Sequence, residues 1–338
     1  MALQPYASTG QRIWYYTFRV ICGLIFFFLI FPILIIIPLS FNALPYFTFT
    51  PGMLALEADA YSLEHYRDFL KVTGENWESG WWVLGLVGAI LVGGLTWLSG
   101  GRAVKLVVLT LVGAVVGAVI GRLAGVEGPW LSPLSNSLAI APAATLLSVS
   151  LGTLAAIGLS SGKTPFRGAI MAILISPMIV PLIISAAGMY FFYSRIGLQG
   201  TYWGVVLAHA ALGVPFVIIT VTATLVGFDR SLTRAAANMG AGPVRTFFKV
   251  QMPLILPGVI SGGLFAFITS FDEVVVVLFL GSAGQKTLPW QMFTGLREQI
   301  SPTILAVATL LVTMSVILLA TLEILRRRSE RLRGMSPG

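Results

Sequence analysis

The sequence predicts an all-α protein, a polytopic transmembrane helical bundle with about eight spans. Of its 338 residues, 57% are hydrophobic and only 10% are charged, and the mean hydropathy is +0.90. A soluble globular domain carries about a quarter charged residues, so this chain cannot cover a surface that faces water. Apolar runs long enough to cross a bilayer follow one another along the chain. These observations exclude a soluble enzyme and predict that a lipid bilayer surrounds most of the chain.

The first apolar run is about 20 residues long, which suits a membrane span and exceeds the core of a cleavable signal. Trp14, Tyr15 and Tyr16 precede it and suit the aromatic belt at the headgroup level. We therefore expect a retained first span. The predicted spans lie near residues 20–41, 81–99, 103–124, 137–159, 168–193, 203–227, 254–281 and 303–325.

Basic residues distinguish the two sides of the membrane. If the N-terminus is cytoplasmic and the spans alternate, 15 of the 21 lysine and arginine residues lie on the cytoplasmic side and 6 lie outside. Cytoplasmic loops of membrane proteins carry such an excess. The count predicts a multi-pass protein of the bacterial cytoplasmic (inner) membrane with both termini in the cytoplasm. The net charge of +8 belongs to this pattern and does not indicate a nucleic-acid partner.

The order of spans and polar segments predicts four regions. Residues 1–73 hold the first span and an outer loop, and residues 74–130 form an inserted transmembrane hairpin. Residues 131–327 form the core, and residues 328–338 form a basic cytoplasmic tail. The middles of the hairpin spans lack ionisable residues, so we expect the hairpin to pack outside the core, away from any translocation pathway.

The polar connection 228–252 predicts two short helices joined at an angle. Asp229 or Ser231 can cap the first helix, Gly240 can end it in a left-handed conformation, and Pro243 suits the first turn of the second. An ordered amphipathic element of this kind can receive a soluble partner. The alternative is an interfacial helix that rests on lipid headgroups.

Residues 234–241, Arg-Ala-Ala-Ala-Asn-Met-Gly-Ala, resemble the Glu-Ala-Ala-x-x-x-Gly-Ala loop of ABC-importer permeases. The segment 270–276 resembles permeases of the spermidine/putrescine class. The resemblance implies a six-span core and a coupling loop that docks on an ATPase through residues 231–248. Arg234 replaces the family's glutamate, which predicts a compensating acidic group on the ATPase. The coupling residues that the resemblance implies are Arg234, Ala235, Ala236, Met239, Gly240 and Ala241.

The resemblance also implies the partners. These are a dimer of cytoplasmic ATPase subunits, a second and related permease subunit, and an extracytoplasmic substrate-binding protein. Residues 158–164 approach the spacing of a nucleotide-binding loop but are one residue short and follow a membrane span. We therefore expect a transport subunit that is not an enzyme and has no cofactor, with ATP and Mg²⁺ bound by the ATPase. His65 and His209 lie far apart and predict no metal site.

Asp272 and Glu273 lie in an otherwise apolar run and are the candidate pathway residues. Carboxylates within a membrane span are costly and mark functional positions by default. The alternative is a buried charge that hydrogen-bonds to a neighbouring helix. Two carboxylates suit a cationic substrate such as a polyamine, although other small organic solutes fit the resemblance. They could also couple ions, so an ion-coupled secondary transporter or a channel that acts without an ATPase is the competing class.

Overall fold

The computed structural model describes residues 8–69, 128–160, 164–298, 302–313 and 315–316, and within these the chain is helical without a named strand. It divides into two compact units, one of residues 1–69 and 299–314 and the other of residues 70–298 and 315–338. The all-α class predicted from the sequence is confirmed for the described residues. The α-helices, in chain order, are α1 (Thr9–Leu39), α2 (Pro51–Leu54), α3 (Glu64–Phe69), α4 (Leu131–Ser160), α5 (Arg167–Ile179), α6 (Leu182–Ile196), α7 (Tyr202–Val226), α8 (Ser231–Asn238), α9 (Pro243–Thr246), α10 (Met252–Phe271), α11 (Val275–Leu280), α12 (Leu288–Glu298) and α13 (Thr303–Thr313).

In the first unit, helix α1 is an apolar helix of 31 residues that is exposed along most of its length. It begins well before the predicted span because Ser8 and Gln11 form a capping box at its N-terminus. A helix of this length extends about 46 Å, more than the thickness of the hydrocarbon core. Its apolar exposed surface is the surface expected of a helix in lipid.

The segment after α1 is a compact loop closed at its base by the pair Asn42 and Tyr61. The side-chain amide of Asn42 donates to the carbonyl oxygens of Tyr46 (3.1 Å) and Thr48 (3.2 Å), which fixes the first part of the loop. At the other end of the loop, Leu56 has φ 57°, the left-handed region. This conformation costs a residue other than glycine roughly 1–2 kcal/mol.

In the second unit, helices α4, α7 and α10 pack against one another. One apolar cluster, around Ile140, Val205 and Val276, joins α4 and α7 to α11, and a second, around Val217 and Ile255, joins α7 to α10. Apolar packing of this kind, rather than water exclusion, holds helices together in lipid. These three helices form the framework to which the candidate functional residues are attached.

The predicted span 168–193 is not one straight helix. Helices α5 and α6 follow each other with a bend of 104°. Val180 between them is extended, with ψ 135°, because the ring of Pro181 disfavours the helical conformation of the preceding residue. Each part of this broken pair is too short to cross a bilayer alone.

The predicted span 254–281 is wrong at both ends. The helix begins earlier, since Pro243–Phe271 forms one helical rod of 29 residues that contains α9 and α10. It ends at Phe271, and residues 272–274 separate it from the short helix α11. Within the described residues there are four long apolar helices, or five spans if the bent pair counts as one. The predicted spans 81–99 and 103–124 and the tail 328–338 lie outside the described residues, so the count of eight stays a prediction.

Gly262 permits the close approach of α10 to α7. A Cβ atom there would lie 2.4 Å from Thr220 Oγ1 and 2.7 Å from the Cα atom of Val217, so backbone would have to move. We expect Gly262→Ala to destabilise the protein by about 1–3 kcal/mol through overpacking, measured as a lower midpoint of thermal unfolding. Gly188→Ala is the matched control, because a Cβ at this helical glycine meets nothing within 4 Å. Equal midpoints for the two variants would contradict the close packing.

Candidate coupling element and pathway carboxylates

The polar connection 228–252, named here the coupling element, turns sharply after α8. Gly240 donates its N–H to the carbonyl oxygen of Ala237 (2.9 Å), and the Ala241 N–H donates to that of Ala236 (3.0 Å). This pair of bonds closes the helix in the manner of a Schellman motif. Gly240 has φ 79°, so the left-handed conformation predicted for it is observed. Pro243 begins the next helix, also as predicted.

Asp229 fixes the start of the coupling element. Its Oδ1 atom accepts a hydrogen bond from the Ser231 N–H (2.8 Å), and its Oδ2 atom accepts one from the Ser231 hydroxyl (2.6 Å). The hydrogen bond from the Ser231 hydroxyl, and to a smaller extent the one from the Ser231 amide, hold the pKa of the Asp229 carboxyl below its ordinary value. The positive charge of Arg234 also lowers this pKa. Of the two predicted capping residues, Asp229 is therefore the one whose side chain binds the free backbone N–H.

Large apolar side chains of the coupling element are exposed to solvent. Met239 is 87% exposed, and Leu232, Val244 and Phe248 are also exposed. Single exposed apolar residues are ordinary, whereas several of them within one short element suit a surface that another molecule covers. The remaining predicted residues are exposed at Arg234, Ala235 and Gly240 and half-buried at Ala236 and Ala241.

The second half of the coupling element is continuous with helix α10. A π-turn at Phe247–Gln251 joins α9 to α10, and the Met252 N–H donates to the carbonyl oxygen of Phe247 across five residues. A rod of 29 residues extends about 43 Å, and no loop residues lie between Pro243 and Phe271. This continuity differs from the separate short helix that the sequence predicts here.

A contact that the sequence analysis missed connects the coupling element to α4. The guanidinium group of Arg230 donates to the carbonyl oxygen of Ser160, the last residue of that helix. A positive group at the C-terminus of a helix compensates its unpaired carbonyl groups and its dipole. No sequence pattern pairs two residues 70 positions apart, so only the structure reveals this contact.

Asp272 and Glu273 lie in the break between α10 and α11, where their environments differ. Glu273 is 6% exposed, and its Oε1 atom accepts a hydrogen bond from the Val276 N–H (2.8 Å) at the start of α11. Asp272 is exposed. The partner of the buried carboxylate is thus the backbone of the next short helix and not a neighbouring helix. Helix α10 separates both carboxylates from the coupling element, so the structure does not bring the two predicted groups together.

Polar contacts hold both sides of this break. Before it, His209 Nδ1 and Ser270 Oγ lie 2.8 Å apart and join α7 to α10, both side chains being buried. After it, the side-chain amide of Asn136 donates to the carbonyl oxygens of Gly284 (3.1 Å) and Lys286 (2.9 Å). These contacts join the end of α10 to α7 and the segment after α11 to α4.

Apolar rods, a proline-broken span and an ordered polar element that continues into a rod define a helical membrane protein. The chain belongs to the family described as "Binding-protein-dependent transport system inner membrane component", whose match covers residues 148–331, over half of the chain. It is a permease subunit of an ABC importer, a multi-pass inner membrane protein and a transport subunit rather than an enzyme. Membership implies an ATPase, a permease partner and a binding protein.

Curated relatives and a solved structure agree with this assignment. The chain is 30% identical over 195 residues to the spermidine/putrescine transport system permease protein PotC of Haemophilus influenzae, covering 58% of this chain and 76% of that protein. It is 32% identical over 197 residues to the putrescine transport system permease protein PotI of Escherichia coli K12, covering 55% and 68%. A crystal structure of a bacterial ABC transporter that imports the acidic polysaccharide alginate has the same fold, with a TM-score of 0.57 at 15% identity and coverage of 96% and 99%.

Proposed function

We propose that this permease forms the translocation pathway for a small organic cation of the polyamine class. The observation that carries the proposal is the pair of carboxylates in the helix break, of which Asp272 is exposed and ionisable. A negative group at such a position attracts a cationic solute, and a carboxylate within a membrane protein marks a substrate or ion pathway by default. Relatives named for spermidine and putrescine support the same class of substrate.

The exposed surface of the coupling element is proposed as the site that receives the ATPase. Its small residues Ala235 and Gly240 permit close approach, and Met239 and Val244 supply apolar side chains for a groove. Arg234 is exposed beside them and would pair with an acidic residue of the ATPase. A force applied here would travel along Pro243–Phe271 to the carboxylates, because that rod is continuous.

The remaining subunits follow the predicted topology. A dimer of ATPase subunits would lie against the cytoplasmic side, a second and related permease chain would complete the pathway, and a binding protein would deliver the solute from outside. The asymmetry of basic residues, 15 against 6, supports cytoplasmic termini.

The substrate class is tested on the binding protein of the same importer. We expect titration calorimetry to detect micromolar or tighter binding of putrescine or spermidine. Polyhydric alcohols and acidic oligosaccharides serve as comparison solutes. If the binding protein takes up one of these and neither polyamine, the substrate assignment is wrong while the permease assignment stands.

Single cysteines test the orientation. In a Cys22→Ser background, Gly242→Cys should react with an impermeant thiol reagent only after the cytoplasmic side is opened, and Glu64→Cys should react from outside in intact cells. Both positions are exposed, so lack of labelling reflects the side of the membrane rather than burial. The reverse pattern would refute the predicted topology.

A further inference from the structure

We propose that the tip of the loop between α1 and α3, presenting Leu54 and Leu56, is a preformed docking surface for the extracytoplasmic binding protein. The inference rests on the proposed function, since the proposed orientation places this loop outside. Rigidity, exposed apolar side chains and local charge each support the proposal.

The loop holds its tip in one conformation. The Tyr61 hydroxyl donates to the carbonyl oxygen of Met53 (3.0 Å), and the Met53 side chain is buried. The Glu57 N–H donates to the carbonyl oxygen of Gly52 (2.9 Å), which closes α2. Compact loops with close ends and internal packing are frequently functional. The tip is therefore ordered before any partner arrives, which lowers the entropy lost on binding.

The two leucines are placed unfavourably for the isolated chain. Leu54 is 73% exposed and Leu56 is 80% exposed, so neither contributes much to a core. Leu56 also occupies the left-handed position that ends α2, with φ 57°, where glycine would be unstrained. Strained backbone and an exposed apolar side chain at one residue are both unfavourable in the free protein. A partner that covers Leu56 gives a physical reason for both.

Local charge identifies the kind of partner. The loop between α1 and α3, residues 40–63, contains Glu57 and Asp59 and no lysine or arginine, within a protein whose net charge is +8. The complementary surface is an apolar depression rimmed by basic residues. Anionic lipid headgroups would be repelled by the same carboxylates, which favours a soluble protein over the membrane surface. In this family the soluble protein on that side is the binding protein.

The test measures the affinity of the assembled importer, in lipid nanodiscs, for its own fluorescently labelled binding protein. Leu56→Gly and Leu54→Ser should each weaken the affinity about fivefold or more, as loss of a buried leucine contact requires. Leu56→Gly should leave the unfolding midpoint of the complex unchanged or raised, because glycine relieves the strain. Phe166→Gly is the matched control, since Phe166 is 84% exposed and also left-handed (φ 52°) but lies on the predicted cytoplasmic side.

The outcomes separate this inference from the proposed function. If wild-type importer binds and both leucine variants keep its affinity, the inference is overturned and the proposed function stands. If Phe166→Gly alone weakens binding, the orientation is wrong, and both the inference and the proposed function are overturned. Both are also overturned if the wild-type importer does not bind the binding protein. A spin label at Leu54→Cys, in a Cys22→Ser background, should be relaxed by an aqueous nickel complex. Stronger relaxation by lipid-soluble oxygen would show the tip in lipid and overturn the inference.

Discussion

Ala235→Asp and Gly240→Asp are expected to leave the permease in the membrane but to reduce copurification of the ATPase about tenfold or more, the effect of an unpaired charge at an interface. Both positions are exposed, and a Cβ at Gly240 meets nothing within 4 Å, so neither change disturbs packing within the chain. At Gly240 the left-handed backbone adds a strain of roughly 1 kcal/mol. Substrate-stimulated ATP hydrolysis should fall in parallel with copurification.

Matched controls distinguish a docking surface from general sensitivity to charge. Gly242→Asp adds the same side chain two residues away, at an exposed glycine with φ −67° and open space around its Cβ. Ala237→Asp adds it to the same helix at an exposed position that the motif leaves variable. Both should retain the ATPase. Arg234→Glu should weaken docking by repulsion, and reversal of the acidic partner residue on the ATPase should restore it. Wild-type copurification in Ala235→Asp, Gly240→Asp and Arg234→Glu together would require the coupling assignment to be abandoned.

Asp272→Asn is expected to lower the transport rate about tenfold or more while stability and ATPase docking stay normal. Its side chain is exposed, and its charge is what a cationic solute would meet. Asp272→Glu keeps the charge and should retain most of the transport. The measurement is initial uptake of labelled putrescine by proteoliposomes that contain the complete importer.

Glu273 serves as the contrasting residue, because its carboxylate binds the Val276 N–H. Glu273→Gln keeps an oxygen acceptor and should preserve the fold, whereas Glu273→Ala should destabilise α11 by about 1–2 kcal/mol, the usual cost of losing a capping side chain. If Glu273→Gln lowers transport while Asp272→Asn leaves it normal, Glu273 and not Asp272 is the pathway residue. Full transport in both of these variants would reject a pathway role for the pair.

Local chemistry explains what the sequence could predict. The left-handed turn at Gly240 and the helix start at Pro243 depend on the conformational preferences of those residues alone, so the sequence predicts both. The long spans are legible because a bilayer requires a minimum apolar length. Pro181 likewise marks the bend between α5 and α6, although its angle of 104° depends on tertiary packing.

Helix breaks and continuities that depend on tertiary contacts cannot be predicted from the sequence. Hydropathy is high on both sides of residues 272–274, so the sequence predicts a single span there. The hydrogen bond from the Val276 N–H to the Glu273 carboxylate is evident only in the structure. In the sequence, Pro253 indicates the start of a new span. In the structure the rod Pro243–Phe271 continues through Pro253, because a π-turn precedes that proline. The Arg230–Ser160 contact joins distant residues and has no local signal.

The central claim, that ATP hydrolysis on a partner drives solute import through this chain, is tested most directly by reconstituted transport. Proteoliposomes would contain this permease, its permease partner and the ATPase, with ATP on the ATPase side and binding protein with labelled putrescine on the other. We expect uptake that requires both ATP and the binding protein and that persists when ionophores collapse every ion gradient. Uptake by this chain alone, driven by a proton or sodium gradient without ATP, would contradict the account.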